Sequence, residues 1–261
     1  MEYELLKNCL INLCDRPFGQ ITEFRYHNDM KILIGSYTCT NYFKKLLDFF
    51  DKKHDVPENF DIVLPTFNEE NLIIYASSCF HKLISGADKI VVNDFGALMK
   101  MDISKIRLGR LINKEYRDKR YPEYDSSEYF TKFDVLVQDL KNMGFDISEA
   151  ETDIITKQFI TSHMNEIKLY YHFPYRQISS CHICEFASAG KKIEDKFQPD
   201  DLCSMQCHKF MVYTEKERYF KYGKSVYDIL SDDYLQNINE NIIFTPRWDW
   251  YDENNGSFVI F

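Results

Sequence analysis

At 261 residues and 44% hydrophobic content, the chain is long enough for one sizeable α/β domain or two small ones, and it needs no disulfide staples to hold a core. A formal charge of -9 sets up a field that repels phosphate backbones, which excludes an extended nucleic-acid groove. No apolar run approaches the ~20 residues that span a bilayer, and Lys7 and Asn8 interrupt the apolar residues too early for a secretory signal, so a cytoplasmic location is expected.

From residue 31 onward, short β-rich runs alternate with longer stretches of helical spacing, the pattern of an α/β fold. Candidate strands are residues 31–34, 61–64, 89–92, 105–108 and 166–171, several of them continuous apolar runs suited to burial on both faces. Between the first two, Thr40 is placed to cap a helix in which Phe43, Leu46, Leu47 and Phe50 recur at spacings of three and four. A second helix is expected after Asn68, with Leu72, Ala76, Cys79, Phe80 and Leu83 on its apolar face. A third spans 126–143 and stops at Gly144. These are crossover helices, and the expected architecture is a partial or complete β/α (TIM-like) barrel, with chemistry sought in the loops after the strand C-termini. The expected organisation is a barrel-like domain over 1–175, with a cysteine-bearing segment and aromatic tail over 176–261 packed on it as one structural unit. In that tail, Asn255-Gly256 is a candidate turn before a final strand.

Eight cysteines in a reduced compartment are better read as metal ligands than as a disulfide framework where their spacings are short. Cys181-x2-Cys184 and Cys203-x3-Cys207 are two such couples, because one tight turn brings both sulfurs of a couple to one side. Four thiolates satisfy tetrahedral zinc, and the same soft donors suit an iron-sulfur cluster, so spacing leaves both metals open. Cys39 follows the first candidate strand and precedes a helix whose N-terminus favours thiolate, the placement of a ligand or nucleophile. The bland alternative for Cys39 is a small buried residue in a loop. Cys79 falls in an apolar helical phase and reads as core, as do Cys9 and Cys14; His182 and His208 adjoin the cysteines as neighbours rather than ligands.

Three stretches together resemble the peptidase U-32 (collagenase-like) family, nearest to its iron-sulfur members of oxygen-independent ubiquinone hydroxylation. They are Gly35-Ser36-Tyr37-Thr38-Cys39; Ala87 through Gly96 followed by Leu108-Gly109-Arg110; and the run from Glu166 through Ser179 and Ser180 to Asp201-Leu202-Cys203-Ser204-Met205-Gln206-Cys207. The resemblance covers roughly residues 30 to 215. It implies an iron-sulfur cluster, [4Fe-4S] in those relatives, held by Cys39, Cys184, Cys203 and Cys207. Cys181 is an alternative to Cys184, because Cys181-His182-Ile183-Cys184 stands where those relatives carry a single cysteine. It further implies an anaerobic biosynthetic hydroxylation of a small or carrier-bound molecule, prephenate as the oxygen source, and a protein partner.

A zinc-stabilised scaffold or partner subunit is the alternative. A peptidase is the third reading, although no Gly-x-Ser-x-Gly elbow or His-Glu-x-x-His helix is present. For an anionic small molecule, Arg107, Arg110, Arg117, Lys119 and Arg120 form a basic cluster in an acidic chain. Of these, Arg110 sits at a strand end matched by the resemblance. Asn93 and Asp94, at another strand end, either orient substrate or make an Asx turn.

Overall fold

The computed structural model describes residues 9–27, 30–53, 56–67, 74, 76–112, 126–153, 167–181, 183–188, 190–196, 203–208, 212–213, 219–222, 224–231, 241–246, 251–252 and 257–258. Eight parallel strands close into a barrel. In chain order they are β1 (Leu10–Asn12), β2 (Ile32–Gly35), β3 (Phe60–Val63), β4 (Ile90–Val92), β5 (Ile106–Leu108), β6 (Glu149–Thr152), β7 (Lys168–Phe173) and β12 (Ile242–Phe244), with β12 hydrogen-bonded between β7 and β1. The TIM-like barrel expected from the alternating pattern is therefore complete. Helices α1 (Phe18–His27), α2 (Thr40–Lys53), α3 (Ser78–Gly86), α4 (Phe95–Leu98) and α5 (Ser126–Asn142) lie in the connections between strands.

Alternation along each strand sorts side chains between two cores. Outward residues such as Ile34, Ile62, Ile90 and Leu108 meet the helices in one large cluster, against Phe43, Leu46 and Phe50 of α2 and Phe80 and Leu83 of α3. Burying each of these side chains contributes roughly 1.5–3 kcal/mol, which is why short strands with little internal hydrogen bonding hold. Inward residues make a smaller apolar core of Leu10, Leu33, Val63, Val91 and Ile243. The inward face also carries charge. Arg107 of β5 pairs with Asp61 of β3 (Nη1 to Oδ2, 2.9 Å) and Glu149 of β6 (Nε to Oε2, 3.1 Å), and its guanidinium lies 3.9 Å from the centre of the Tyr170 ring.

Between β7 and β12 the chain leaves the barrel. It builds β8 (Tyr175–Ser180), the short helix α6 (Glu185–Ser188), β9 (Val212–Tyr213), β10 (Tyr219–Tyr222) and β11 (Ser225–Ile229), which form an antiparallel sheet in the order β8-β11-β10-β9. The cysteine segment is thus an insertion between the seventh and eighth barrel strands, and the last barrel strand comes from beyond residue 175. In the tail, β13 (Tyr251–Asp252) pairs with β14 (Ser257–Phe258); the Asn255-Gly256 turn lies outside the described residues.

Two helix starts differ from expectation. Helix α2 is capped by Cys39, whose Sγ accepts from Tyr42 N at 3.4 Å, while the Thr40 hydroxyl turns away and donates to Thr66 O. Helix α3 begins at Ser78, with Ser77 as its cap accepting from Phe80 N; Asn68 and Leu72 lie outside the described residues. Gly144 does terminate α5, with φ +88 and Phe145 N reaching back to Leu140 O. No helix among the described residues is long and apolar enough to cross a membrane.

Candidate functional site

The C-terminal ends of the barrel strands, where β/α barrels carry their chemistry, surround a cavity that opens to solvent. Asn12, Cys14 and Asp15 enter it from β1 and its following loop, Tyr37 from the loop after β2, Arg110 from the loop after β5 and Thr245 from the end of β12. Tyr175, Tyr222 and Tyr227 of the inserted sheet wall it from the other side. The insertion is pinned to the barrel here, because the Tyr222 hydroxyl donates to the backbone carbonyl of Asp15. Asp15 itself has φ +60, and its Oδ1 has no hydrogen-bond partner among the described residues. Desolvation pushes its carboxyl up to about 7, against the opposing hydrogen bond from Ser36 and the charges of Arg110 and Lys224.

Arg110 is buried, with an exposure of 3%. Its Nη1 pairs with Asp153 Oδ1 at 3.2 Å, its guanidinium lies 4.6 Å from the Tyr37 ring centre, and its Nε has no hydrogen-bond partner among the described residues. A buried cation with a free donor beside a cavity is suited to an anionic group. In the barrel interior, the Tyr37 hydroxyl donates to Glu151 Oε2 at 2.8 Å, and His172 Nε2 lies 3.1 Å from the same oxygen. Burial drives the Glu151 carboxyl up to about 7 despite Arg107, and drives the His172 imidazole well below its usual value, so it is neutral.

The cysteines gather next to this cavity. The Cys207 thiol is raised by burial and by the charges of Asp15, Cys39, Cys184 and Cys203. Cys39 is pushed up to about 12, chiefly by burial and then by Asp15, with Cys203 adding to the effect. The helix N-terminus was expected to favour a thiolate at Cys39; the hydrogen bond from Tyr42 N does act in that direction, but desolvation outweighs it. Among the described residues no group of three or more His, Cys, Asp or Glu is arranged to hold a metal ion. The Cys207 thiol nevertheless feels Cys39, Cys184 and Cys203, and Cys39 feels Cys203, although Cys39 is 168 positions from Cys207.

Local sequence explains the convergence. Met205 takes a left-handed turn at φ +57, folding Cys203 toward Cys207, which sits in a single 3-10 turn. Lys45 of α2 donates to the Cys203 carbonyl, and His208 packs edge-on against Tyr42 of α2 and Phe18 of α1 with centroids 5.5 and 6.1 Å away. Cys184 occupies the start of α6, its carbonyl accepting from Ser188 N and Oγ. Cys181 continues the sheet through its N–H to Lys224 O, is exposed, and has its thiol 2.9 Å from Ile183 O; it is absent from the charges felt by Cys207.

No protein-family model, no curated protein and no solved structure matches the chain. The residues' own geometry therefore has to sort the candidates. Asn93 is buried and engaged with backbone, its Nδ2 donating to Leu64 O at 2.9 Å. Asp94 caps α4 by accepting from Ala97 N at 2.7 Å and also accepts from Phe67 N. Arg110 alone of these three lines the cavity. Arg107 lies in the barrel interior, while Arg117, Lys119, Arg120 and His182 fall outside the described residues.

Asp15, Tyr37, Glu151 and His172 were not singled out by the sequence. Tyr37 sits inside the glycine-x3-cysteine loop and could have been flagged; Glu149-x-Glu151 has the period of two of a strand face, but its charge disguised it.

Proposed function

We propose that the chain is an iron-sulfur protein in which Cys39, Cys184, Cys203 and Cys207 hold a cluster, [4Fe-4S] by the resemblance, beside the cavity at the barrel mouth. The carrying observation is that the half-buried Cys207 thiol feels Cys39, Cys184 and Cys203 together. Ionising four thiols in such a place costs free energy that a metal's positive charge offsets, because metal binding deprotonates the thiols and neutralises them together. The donor set thus fits the group. When bound, such a cluster supplies one-electron chemistry at the edge of the cavity.

The resemblance to the peptidase U-32 family supplies the reaction class: oxygen-independent hydroxylation, or a related anaerobic biosynthetic step, on a small or carrier-bound molecule, with a protein partner. In this reading Arg110 holds an anionic group of the substrate through its free Nε, and the tyrosine wall covers an apolar ring or chain. A zinc knot confined to the insertion would need Cys181 as its fourth thiol, and the exposed, outward placement of Cys181 weighs against it.

Purification without dioxygen, followed by iron, sulfide and zinc analysis and a visible spectrum, tests the reading. A brown protein with iron and acid-labile sulfide in matching amounts is expected. A colourless protein with stoichiometric zinc would contradict it.

A further inference from the structure

Tyr37 belongs to two constellations. It lines the barrel-mouth cavity, and its hydroxyl donates to Glu151 Oε2 at 2.8 Å in the barrel interior. Glu151 is fully buried and faces charged or titratable groups from each strand that packs on it. Arg107 of β5 lies 3.8 Å from Oε1, His172 of β7 lies 3.1 Å from Oε2, and the charges of Arg110 and Cys14 are felt across the interior. Beyond Arg107 stand Asp61 and Glu149, which share its charge. Glu151 thus shares Arg107 with two other carboxylates, and it sits next to a neutral imidazole rather than an imidazolium.

We propose that Glu151 is the proton store of the barrel-mouth cavity, that the Tyr37 hydroxyl is the conduit between them, and that His172 is a positioning residue that holds the carboxyl in register. The step balances without any further reactant. An acidic group in the cavity gives its proton to Tyr37 Oη as Tyr37 passes its own to Glu151 Oε2, leaving the ligand ionised, Tyr37 a neutral phenol and Glu151 a carboxylic acid. The reverse passage returns the proton. Tyr37 remains a phenol at both ends, as its buried position demands, and only Glu151 changes charge. A group that accepts or releases a proton near neutral pH is what a cavity handling acidic substrates requires, and the raised Glu151 carboxyl, about 7, supports the assignment.

Placing Tyr37 on the reaction path rests on the proposed function; the proton route itself does not, and infrared spectroscopy reads it whether or not iron is present. A buried carboxylic acid gives a carbonyl stretch of its own. In the wild-type protein this band is expected at pH about 6 and is lost by pH about 8, and Glu151→Gln lacks it throughout. On transfer to heavy water, the band's deuterium shift is expected to slow by roughly tenfold or more in Tyr37→Phe, where the hydroxyl conduit is gone. Two results would overturn the proposal: no Glu151-dependent band at any pH between about 5 and about 8, or an unchanged exchange rate in Tyr37→Phe. Loss of iron with both infrared results intact would remove the cluster assignment and leave the relay standing.

Discussion

Glu151 lies 3.8 Å from Arg107, which is shared with Asp61 and Glu149. The consequence for stability has a definite sign. Its carboxyl titrates at about 7 in the folded chain against 4.5 as an ordinary glutamate. Between those values the folded protein keeps a proton that the unfolded chain has released, so Glu151 favours folding fully below about 4.5 and loses that contribution as pH rises through about 7. Glu151→Gln cannot titrate. Its urea midpoint should therefore gain on the wild type between pH about 5 and pH about 7.5, by on the order of 1–3 kcal/mol. Asp15 is shifted the same way but is common to both proteins and cancels. Parallel pH curves for the two proteins would mean that Glu151 stays ionised. None of this was legible in the sequence, because a buried carboxylate is recognised only once its neighbours from β2, β5 and β7 are assembled around it.

At the scale of elements, apolar runs revealed five barrel strands and missed β1, β6 and β12. The physical reason differs in each case. β6 faces the barrel interior with Glu149 and Glu151, which meet Arg107 and His172, so its inward face is charged where the usual pattern is apolar. β1 and β12 are three residues each and gain their definition from pairing with one another and with β2 and β7.

Candidate substrate residues divided by the same logic. Asn93 ties the end of β4 to the loops after β3 and β5, donating to Leu64 O and accepting from Leu111 N, and Asp94 caps α4. A Cβ on Gly109 would come within 2.2 Å of Asn93 Oδ1, so the Leu-Gly-Arg triplet is glycine there to let that side chain in. Asp94→Ala removes acceptors for Ala97 N and Phe67 N together. It should lower stability by about 1–2 kcal/mol while leaving metal content untouched; a variant of wild-type stability would show that these bonds contribute nothing net. Spacing alone marks the cysteine couples in the sequence, whereas the exposure of Cys181 and the place of Cys184 at the start of α6 are visible only in the fold.

For the molecule as a whole, the insertion is tethered at both ends by barrel strands, β7 and β12, and fastened at its middle by Lys45, His208 and Tyr222. Loop closure over such a span costs little extra entropy per added residue, so a centre joining the second βα loop to the insertion is compatible with a stable barrel. Such a centre would bind the insertion to the barrel more tightly than those contacts alone. The most direct measurement is iron and sulfide content per chain, determined anaerobically for the wild type and for Cys39→Ser, Cys184→Ser and Cys181→Ser prepared side by side. Loss of iron and colour in Cys39→Ser and Cys184→Ser, with Cys181→Ser retaining both, is the expected result. Full iron and sulfide in Cys39→Ser, or loss confined to Cys181→Ser, would contradict a centre shared between barrel and insertion.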